Sequence, residues 1–364
     1  MKIVLAGGGT GGHVIPALAI AEELRRRGHE AVFVGTARGM ETRLVPKAGF
    51  RLHLVHIGAF NRVSLATRLT TMARLPLAVL GAMRILRGVE QKDRTQMVIG
   101  VGGYAAAPAT MAAVLLRIPV VLFEPNVVPG FANRVVARFA TSAAVHFAQT
   151  GRWFPRFEVT GVPVRPQFFA LPARRSRPPS LLLFGGSQGA RALNRILRQS
   201  AAELLRTVPE LKIVHQTGER EFEELRGFYE RSGLAVEARA FLDDMPQRFA
   251  DADLIVCRSG ASTVAEIAAA GKCALFVPFP GAADDHQLRN AELLAESGAA
   301  LLIPEKELTA ERFVQQVTEL LGNAPKMAAM GAKAQTLAHP DAAARVAELA
   351  LKAARQPHSG QKSA

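Results

Sequence analysis

The residues of this sequence whose types and spacing can do chemistry lie in five short loops. The first, AGGGTGGHVIP (6–16), holds Gly7-x-Gly9-x-x-Gly12 and closes on His13. The others are GVGGYAAAP (100–108), FEPNVVPG (123–130), FGGSQGAR (184–191) and CRSGASTVAE (257–266). The first spacing matches a dinucleotide-binding turn, which should be followed about 20 residues later by an acid for the ribose hydroxyls. Here that stretch reads VGTARGM, without an acid, and Arg38 is placed to meet an NADP phosphate, so the pattern weakens NAD more than NADP. No Gly-Lys-Ser/Thr follows, which removes a Walker loop.

What remains is a glycine-lined helix start, suited to the close approach of a polar or anionic group. Five such loops fit a ligand with several phosphates and hydroxyls. CRSGASTVAE is the sharpest, because Ser259 to Thr263 set backbone amides and hydroxyls at a helix N-terminus that favours a diphosphate. Glu266 reads either as a carboxylate for a ribose diol or as an acid answering the helix dipole. His13 reads either as a structural hydrogen-bonding group or as a general base, held neutral by the positive end of a helix. Asp251-Ala-Asp253 resembles a metal-binding D-x-D but directly precedes the apolar run LIVC, which makes it a turn; Asp243 and Asp244 start a short helix.

The elements that must position these loops alternate regularly. KIVLA (2–6) reads as a buried parallel strand and 16–27 as a helix with Ala17, Ile20, Ala21 and Leu24 on one face, followed by the strand AVFVG (31–35). MVIGVGGY (97–104), VVLFEPN (120–126) and SAAVHF (142–147) continue the series. After the Pro- and Arg-rich stretch RPQFFALPARRSRPPS (165–180), LLLFGGSQGARALNRIL (181–197) repeats the opening plan. The chain therefore reads as α/β, with two Rossmann-like domains facing across a cleft: 1–164, a linker over 165–180, and 181–340. The residues from Gln356 onward (356–364) read as a disordered tail.

Composition bounds the class. The 364 residues are 49% hydrophobic and carry 45 Lys+Arg against 31 Asp+Glu, a net charge of +14 that asks for an anionic partner. Cys257 and Cys273 stand alone, without zinc spacing or a disulfide framework. The Met-Lys start lacks a signal-peptide core, and no apolar stretch reaches the roughly 18 residues that cross a bilayer. From Arg62 to Arg94 seven basic and two acidic residues interleave with Leu69, Met72, Leu75, Leu77 and Leu80. That stretch reads either as a basic, apolar surface for an anionic membrane or as an amphipathic helix packed on the sheet.

GGGTGGHVIPALAIAEEL, GGSQGAR, CRSGASTVAEIAAAG and DDHQLRNAELL together resemble the MurG family of peptidoglycan glycosyltransferases, over about residues 2 to 350. The resemblance implies a B-type glycosyltransferase fold, with an acceptor domain at the N-terminus, a UDP-sugar domain at the C-terminus and a final helix (341–355) returning to the first domain. It implies inverting transfer of N-acetylglucosamine from UDP-GlcNAc to the 4-hydroxyl of lipid I, giving lipid II, without a metal or cofactor. By motif, His13 is the base, and Thr10, Gly11 and Gly12 lie near donor sugar and acceptor. Asn126 contacts sugar, Arg165 belongs to the interdomain motif, and Ser187 meets the diphosphate. Leu242 lies beside uracil, Ala261, Ser262, Thr263, Val264, Ala265 and Glu266 hold diphosphate and ribose, and Gln287 binds sugar hydroxyls.

Two departures stand out. Phe123-Glu124-Pro125-Asn126 replaces the family's frequent His-Glu-Gln-Asn, and GGYAAAP lacks its common Ser-Gly. The resemblance further implies a peripheral enzyme at the cytoplasmic face of the bacterial inner membrane, serving cell-wall synthesis, cell shape and division, with no nucleic acid as partner. The rivals are a UDP-GlcNAc 2-epimerase on the same fold, a basic nucleic-acid-binding protein, for which stacking aromatics and a binding module are missing, and an NADP oxidoreductase.

Overall fold

A computed structural model describes residues 1–37, 39–57, 65–88, 94–171, 178–186 and 188–355, with the backbone alone over 65–70. Arg38, Ser187, the tail 356–364 and parts of the expected membrane stretch (62–64, 89–93) and linker (172–177) lie outside the described residues. The chain forms two compact units, Met1–Pro163 together with the C-terminal helix Ala342–Arg355, and Val164–Pro340.

The first unit is built on seven strands, β1 (Lys2–Gly7), β2 (Glu30–Gly35), β3 (Arg51–Leu54), β4 (Met97–Gly102), β5 (Val120–Glu124), β6 (Ser142–Val145) and β7 (Phe157–Val159). They form one parallel sheet in the order β3-β2-β1-β4-β5-β6-β7. Ile3, Val4 and Leu5 are entirely buried, as a strand covered on both faces requires. The order reverses between β1 and β4, the switch point where such sheets bind ligands at the strands' carboxyl ends.

The first helix begins earlier than the sequence suggests. It runs Gly11–Arg26, with Thr10 as its N-cap and Pro16 inside rather than at its first turn. His13 consequently stands within the first turn, its N–H on the Thr10 carbonyl at 3.1 Å. Ala17, Ile20, Ala21 and Leu24 are buried as their spacing requires.

The helix Leu65–Arg87 packs on the sheet and leaves part of its apolar surface outside. Val79, Ala82 and Leu86 enter the core beneath, while Met72, Leu77 and Leu80 are exposed. The C-terminal helix Ala342–Arg355 packs on the Gly11–Arg26 helix, with Arg345 to Glu158 at 3.2 Å and Arg27 to Glu348 at 3.5 Å tying its first half to this unit.

The second unit repeats the plan with six strands, β8 (Ser180–Phe184), β9 (Lys212–Gln216), β10 (Val236–Arg239), β11 (Leu254–Cys257), β12 (Cys273–Phe276) and β13 (Leu301–Leu302). Their order, β10-β9-β8-β11-β12-β13, is again parallel and reverses between β8 and β11. The helix Arg191–Thr207 lays Leu193, Ile196, Leu197 and Leu204 against this sheet, each contributing about 1.5–3 kcal/mol of burial. The start of the expected linker is anchored here: Phe168 is 1% exposed and meets Phe249 edge-on at 4.9 Å. Asp253 accepts the Ser180 N–H at 2.9 Å, so the D-x-D stretch ties the starts of β8 and β11 together.

Candidate active site

In the first unit the glycine turn after β1 and the loop after β4 meet at the switch point, and His13 sits between them. Its Nδ1 lies 3.2 Å from Thr10 Oγ1. On the other side, a Cβ on Gly102 would come within 2.9 Å of His13 Cδ2, and Gly102 and Gly103 have φ of +91° and +76°. Only glycine combines that left-handed backbone with such an approach to an imidazole. GVGGYAAAP therefore acts as the floor under His13, and Gly11 and Gly12 complete the helix turn around it.

Asn126 follows the end of β5, and its environment depends on a residue the sequence reading passed over. Glu124 is buried and accepts four N–H groups: Asn126 N and Nδ2 at 3.1 Å each, Gly130 N at 2.9 Å and Asn133 Nδ2 at 2.9 Å. Burial pushes its pKa up, and these donors pull the other way. Glu124 thus fixes the Asn126 amide. A fully buried Phe123 explains the first departure from the family pattern, since at that position this chain places a core side chain.

In the second unit the loop after β11 leads into the helix Ala261–Ala270, whose N-cap is Gly260 and receives no side-chain cap. The amides of Ala261, Ser262 and Thr263 belong to the first turn and have no partner within the helix. The rest of the motif turns inward. Val264 donates its N–H to the Gly260 carbonyl at 3.0 Å and, like Ala265, buries its side chain, so the helix itself uses both. Ser259, expected to offer its hydroxyl, is buried and donates to the Gln287 carbonyl at 2.8 Å. Arg258 pairs with Glu305 at 2.7 Å and donates to the Val277 and Pro278 carbonyls. Ser262 differs: its Oγ is buried and makes no hydrogen bond among the described residues.

Glu266 lies one turn further along the same helix, its side chain 22% exposed, with Arg165 Nη2 at 3.7 Å. Burial pushes its pKa up to about 7, and the Arg165 charge opposes the shift. Arg165 also covers the Phe168 ring at 4.9 Å, which holds the guanidinium in place. Gln287 is tethered through Oε1, which accepts the Phe279 N–H at 3.0 Å, and its amide nitrogen keeps its donors for another partner. Leu242 is 4% exposed, so its side chain is core and its backbone is what a ligand can meet. The neighbouring Phe241 is half exposed and presents the ring instead. The sequence held a signal for it, an aromatic beside a predicted base contact. The loop of Ser187 is described on both sides, with Gly189 N on the Gly186 carbonyl at 2.8 Å and Gln216 Nε2 on the same oxygen at 3.0 Å.

The chain is similar to known proteins. Residues 3–145 match the glycosyltransferase family 28 N-terminal domain, and residues 180–346 its C-terminal domain. The chain is 48% identical, over 97% of its length and 96% of the relative's, to the UDP-N-acetylglucosamine--N-acetylmuramyl-(pentapeptide) pyrophosphoryl-undecaprenol N-acetylglucosamine transferase of Solibacter usitatus (strain Ellin6076). The crystal structure of Acinetobacter baumannii MurG superposes with a TM-score of 0.79 at 35% identity, covering 96% of this chain and 99% of that one. A UDP-GlcNAc 2-epimerase from Neisseria meningitidis superposes at 0.66 with 14% identity, over 97% of this chain and all of that one, a likeness of fold alone. With a B-type glycosyltransferase fold, both family 28 domains and this identity along nearly its whole length, the chain belongs to the MurG family of glycosyltransferases.

Proposed function

We propose that this protein transfers N-acetylglucosamine from UDP-GlcNAc to the 4-hydroxyl of the N-acetylmuramoyl group of lipid I, with inversion, and so makes lipid II for peptidoglycan. The observation that carries the reading is the 48% identity, along 97% of the chain, to a transferase named for that donor and acceptor. The acceptor belongs to the first unit. His13 takes the proton of the attacking hydroxyl, with Thr10 Oγ1 steadying its ring at Nδ1. Gly11 and Gly12 leave room for the sugars, and Asn126, held by Glu124, supplies hydrogen bonds to one of them.

The donor belongs to the second unit. Charge developing on the leaving UDP is met by the amides of Ala261, Ser262 and Thr263 and by the positive end of their helix, an arrangement that needs no cation. Ser187 joins them. Glu266 accepts from the ribose, Gln287 donates to sugar hydroxyls, the backbone at Leu242 reads uracil and Phe241 stacks on it.

A polyprenyl-linked acceptor requires the enzyme to dock on the cytoplasmic face of the inner membrane. No helix among the described residues is long and apolar enough to cross a bilayer. A surface of the first unit fits docking better than the basic stretch 62–94 does by itself. Phe131, Val135, Phe139, Trp153 and Phe157 are all exposed, and Arg134 and Arg152 each lie 5.9 Å from the Trp153 ring. No Asp or Glu occurs from Pro125 to Phe157. Aromatic rings interleaved with arginines suit an anionic headgroup layer.

A soluble lipid I analogue with UDP-GlcNAc will give UDP and a β-1,4-linked disaccharide without added magnesium. Formation of the manno epimer from UDP-GlcNAc alone would instead establish the epimerase. Replacing Phe131, Phe139 and Trp153 with serine will release the protein from anionic vesicles while sparing turnover of the soluble acceptor. Unchanged vesicle binding removes that surface from the reading.

A further inference from the structure

Glu41 follows directly on VGTARGM, the stretch where a dinucleotide-binding domain would offer an acid to a ribose. Its side chain is completely buried and turned toward the glycine turn instead. Oε2 accepts the Gly9 N–H at 2.8 Å, and Oε1 accepts both the N–H and the hydroxyl of Thr36 at 3.0 Å. Met40 adds its own N–H to the Gly9 carbonyl at 3.2 Å, so residues 40 and 41 grip Gly9 on both sides of its peptide. Gly8, Gly35 and Gly39 wall the carboxylate closely, since a Cβ on any of them would run into the Glu41 side chain. One residue beyond Gly9, Thr10 caps the helix that carries His13 and touches its ring.

We propose that Glu41 is a positioning residue for sugar transfer: its carboxylate fills the anion cup of the first glycine turn and thereby fixes the helix start on which His13 stands. The chain supplies this turn with an anion of its own. A diphosphate brought to the same amides would meet a like charge already bonded there, which directs the nucleotide to the second unit. Placement matters because a displacement of about 1 Å at a reacting group costs on the order of 100-fold in rate. A carboxylate is required because both oxygens must accept, and a carboxamide has one acceptor and one donor.

The inference rests on the proposed transferase reading with His13 as base. In the two-substrate assay, Glu41→Gln will lower kcat at least about tenfold and leave KM for UDP-GlcNAc within about twofold. Glu41→Asp, which keeps two acceptors on a shorter stem, will recover part of the loss. Gly8→Ala, which leaves the charge in place and crowds it, will show the same split and decides the matter if Glu41→Gln does not fold. Unchanged kcat in a folded variant, or a loss that tracks the folded fraction without recovery in Glu41→Asp, overturns the inference. His13→Ala measured alongside separates the two readings: normal turnover there sinks the base, whereas an inactive His13→Ala beside a fully active Glu41→Gln sinks only the role of Glu41.

Discussion

The two units have the same strand order up to the edge of the sheet and set glycine-bearing loops at the switch point, yet the helix start after β1 in the first and the helix start after β11 in the second differ in what holds their amides. In the first, an internal carboxylate from Glu41 holds the Gly9 amide, and the helix start that follows carries a histidine. In the second, the helix start at Ala261 has no side-chain cap among the described residues, Ser262 has a buried hydroxyl without a partner among them, and the acid on that helix, Glu266, lies one turn along with an arginine beside it. Topology alone therefore does not say which turn binds an anion. That depends on whether the chain has already supplied one.

Four experiments break or sharpen this contrast. The largest effect is expected from His13→Ala, which will reduce kcat by about 100- to 10,000-fold while UDP-GlcNAc still binds, as calorimetry can show. Normal turnover would return His13 to a structural role. Next, Thr263→Asp gives the second turn its own carboxylate and makes it resemble the first. Donor kcat/KM will fall about 100-fold or more, whereas the thermal midpoint will hold or rise, because an acid suits a helix N-terminus. Retained donor binding would end the assignment of those amides to the diphosphate.

The third effect depends on pH. The pKa of Glu266 lies near 7 in the free protein because burial disfavours its charge. The folded value exceeds the unfolded one, so the group's contribution to stability is full below its unfolded pKa of about 4.5 and is lost as pH rises through about 7. Binding runs the other way, since a ribose diol donates to the ionised form. UDP-GlcNAc affinity will therefore weaken up to about tenfold between pH 8 and pH 6, and Glu266→Gln will flatten the profile. A profile unchanged by that substitution assigns the titration to another group. The smallest change is Ser262→Ala. Removing a buried hydroxyl without a partner will leave the free protein equally or more stable, while donor affinity drops about 2- to 10-fold if that hydroxyl meets the diphosphate. A less stable free protein with unchanged affinity would make the hydroxyl structural.

Much of this protein is legible in its sequence. Short apolar runs such as KIVLA and LIVC, bounded by turn residues, are strands covered on both faces, and the glycine loops after them mark the switch points. The motifs of the second unit also place their helix start correctly. Tertiary structure decided what each polar group in those motifs faces. Ser259, Arg258 and Leu242 all occur in or beside binding motifs and all turn into the protein, because neighbouring backbone groups and core space claim them first. His215, in the strand β9, is a further histidine that only the fold removes from acid–base chemistry. Burial lowers its pKa to about 3 and lodges it between Tyr229 and Asn194.

The same holds for the acids. Nothing in the spacing of Glu41 and Glu124 distinguishes them from surface carboxylates, since their partners come from loops that only folding brings together. The sequence by itself determined the elements, their alternation and the turns that sit at the strand ends, because periodicity and glycine are local signals. Only the tertiary structure decided that the first turn is closed by its own carboxylate and the second is not, because that choice rests on which side chain from elsewhere in the chain reaches the amides first.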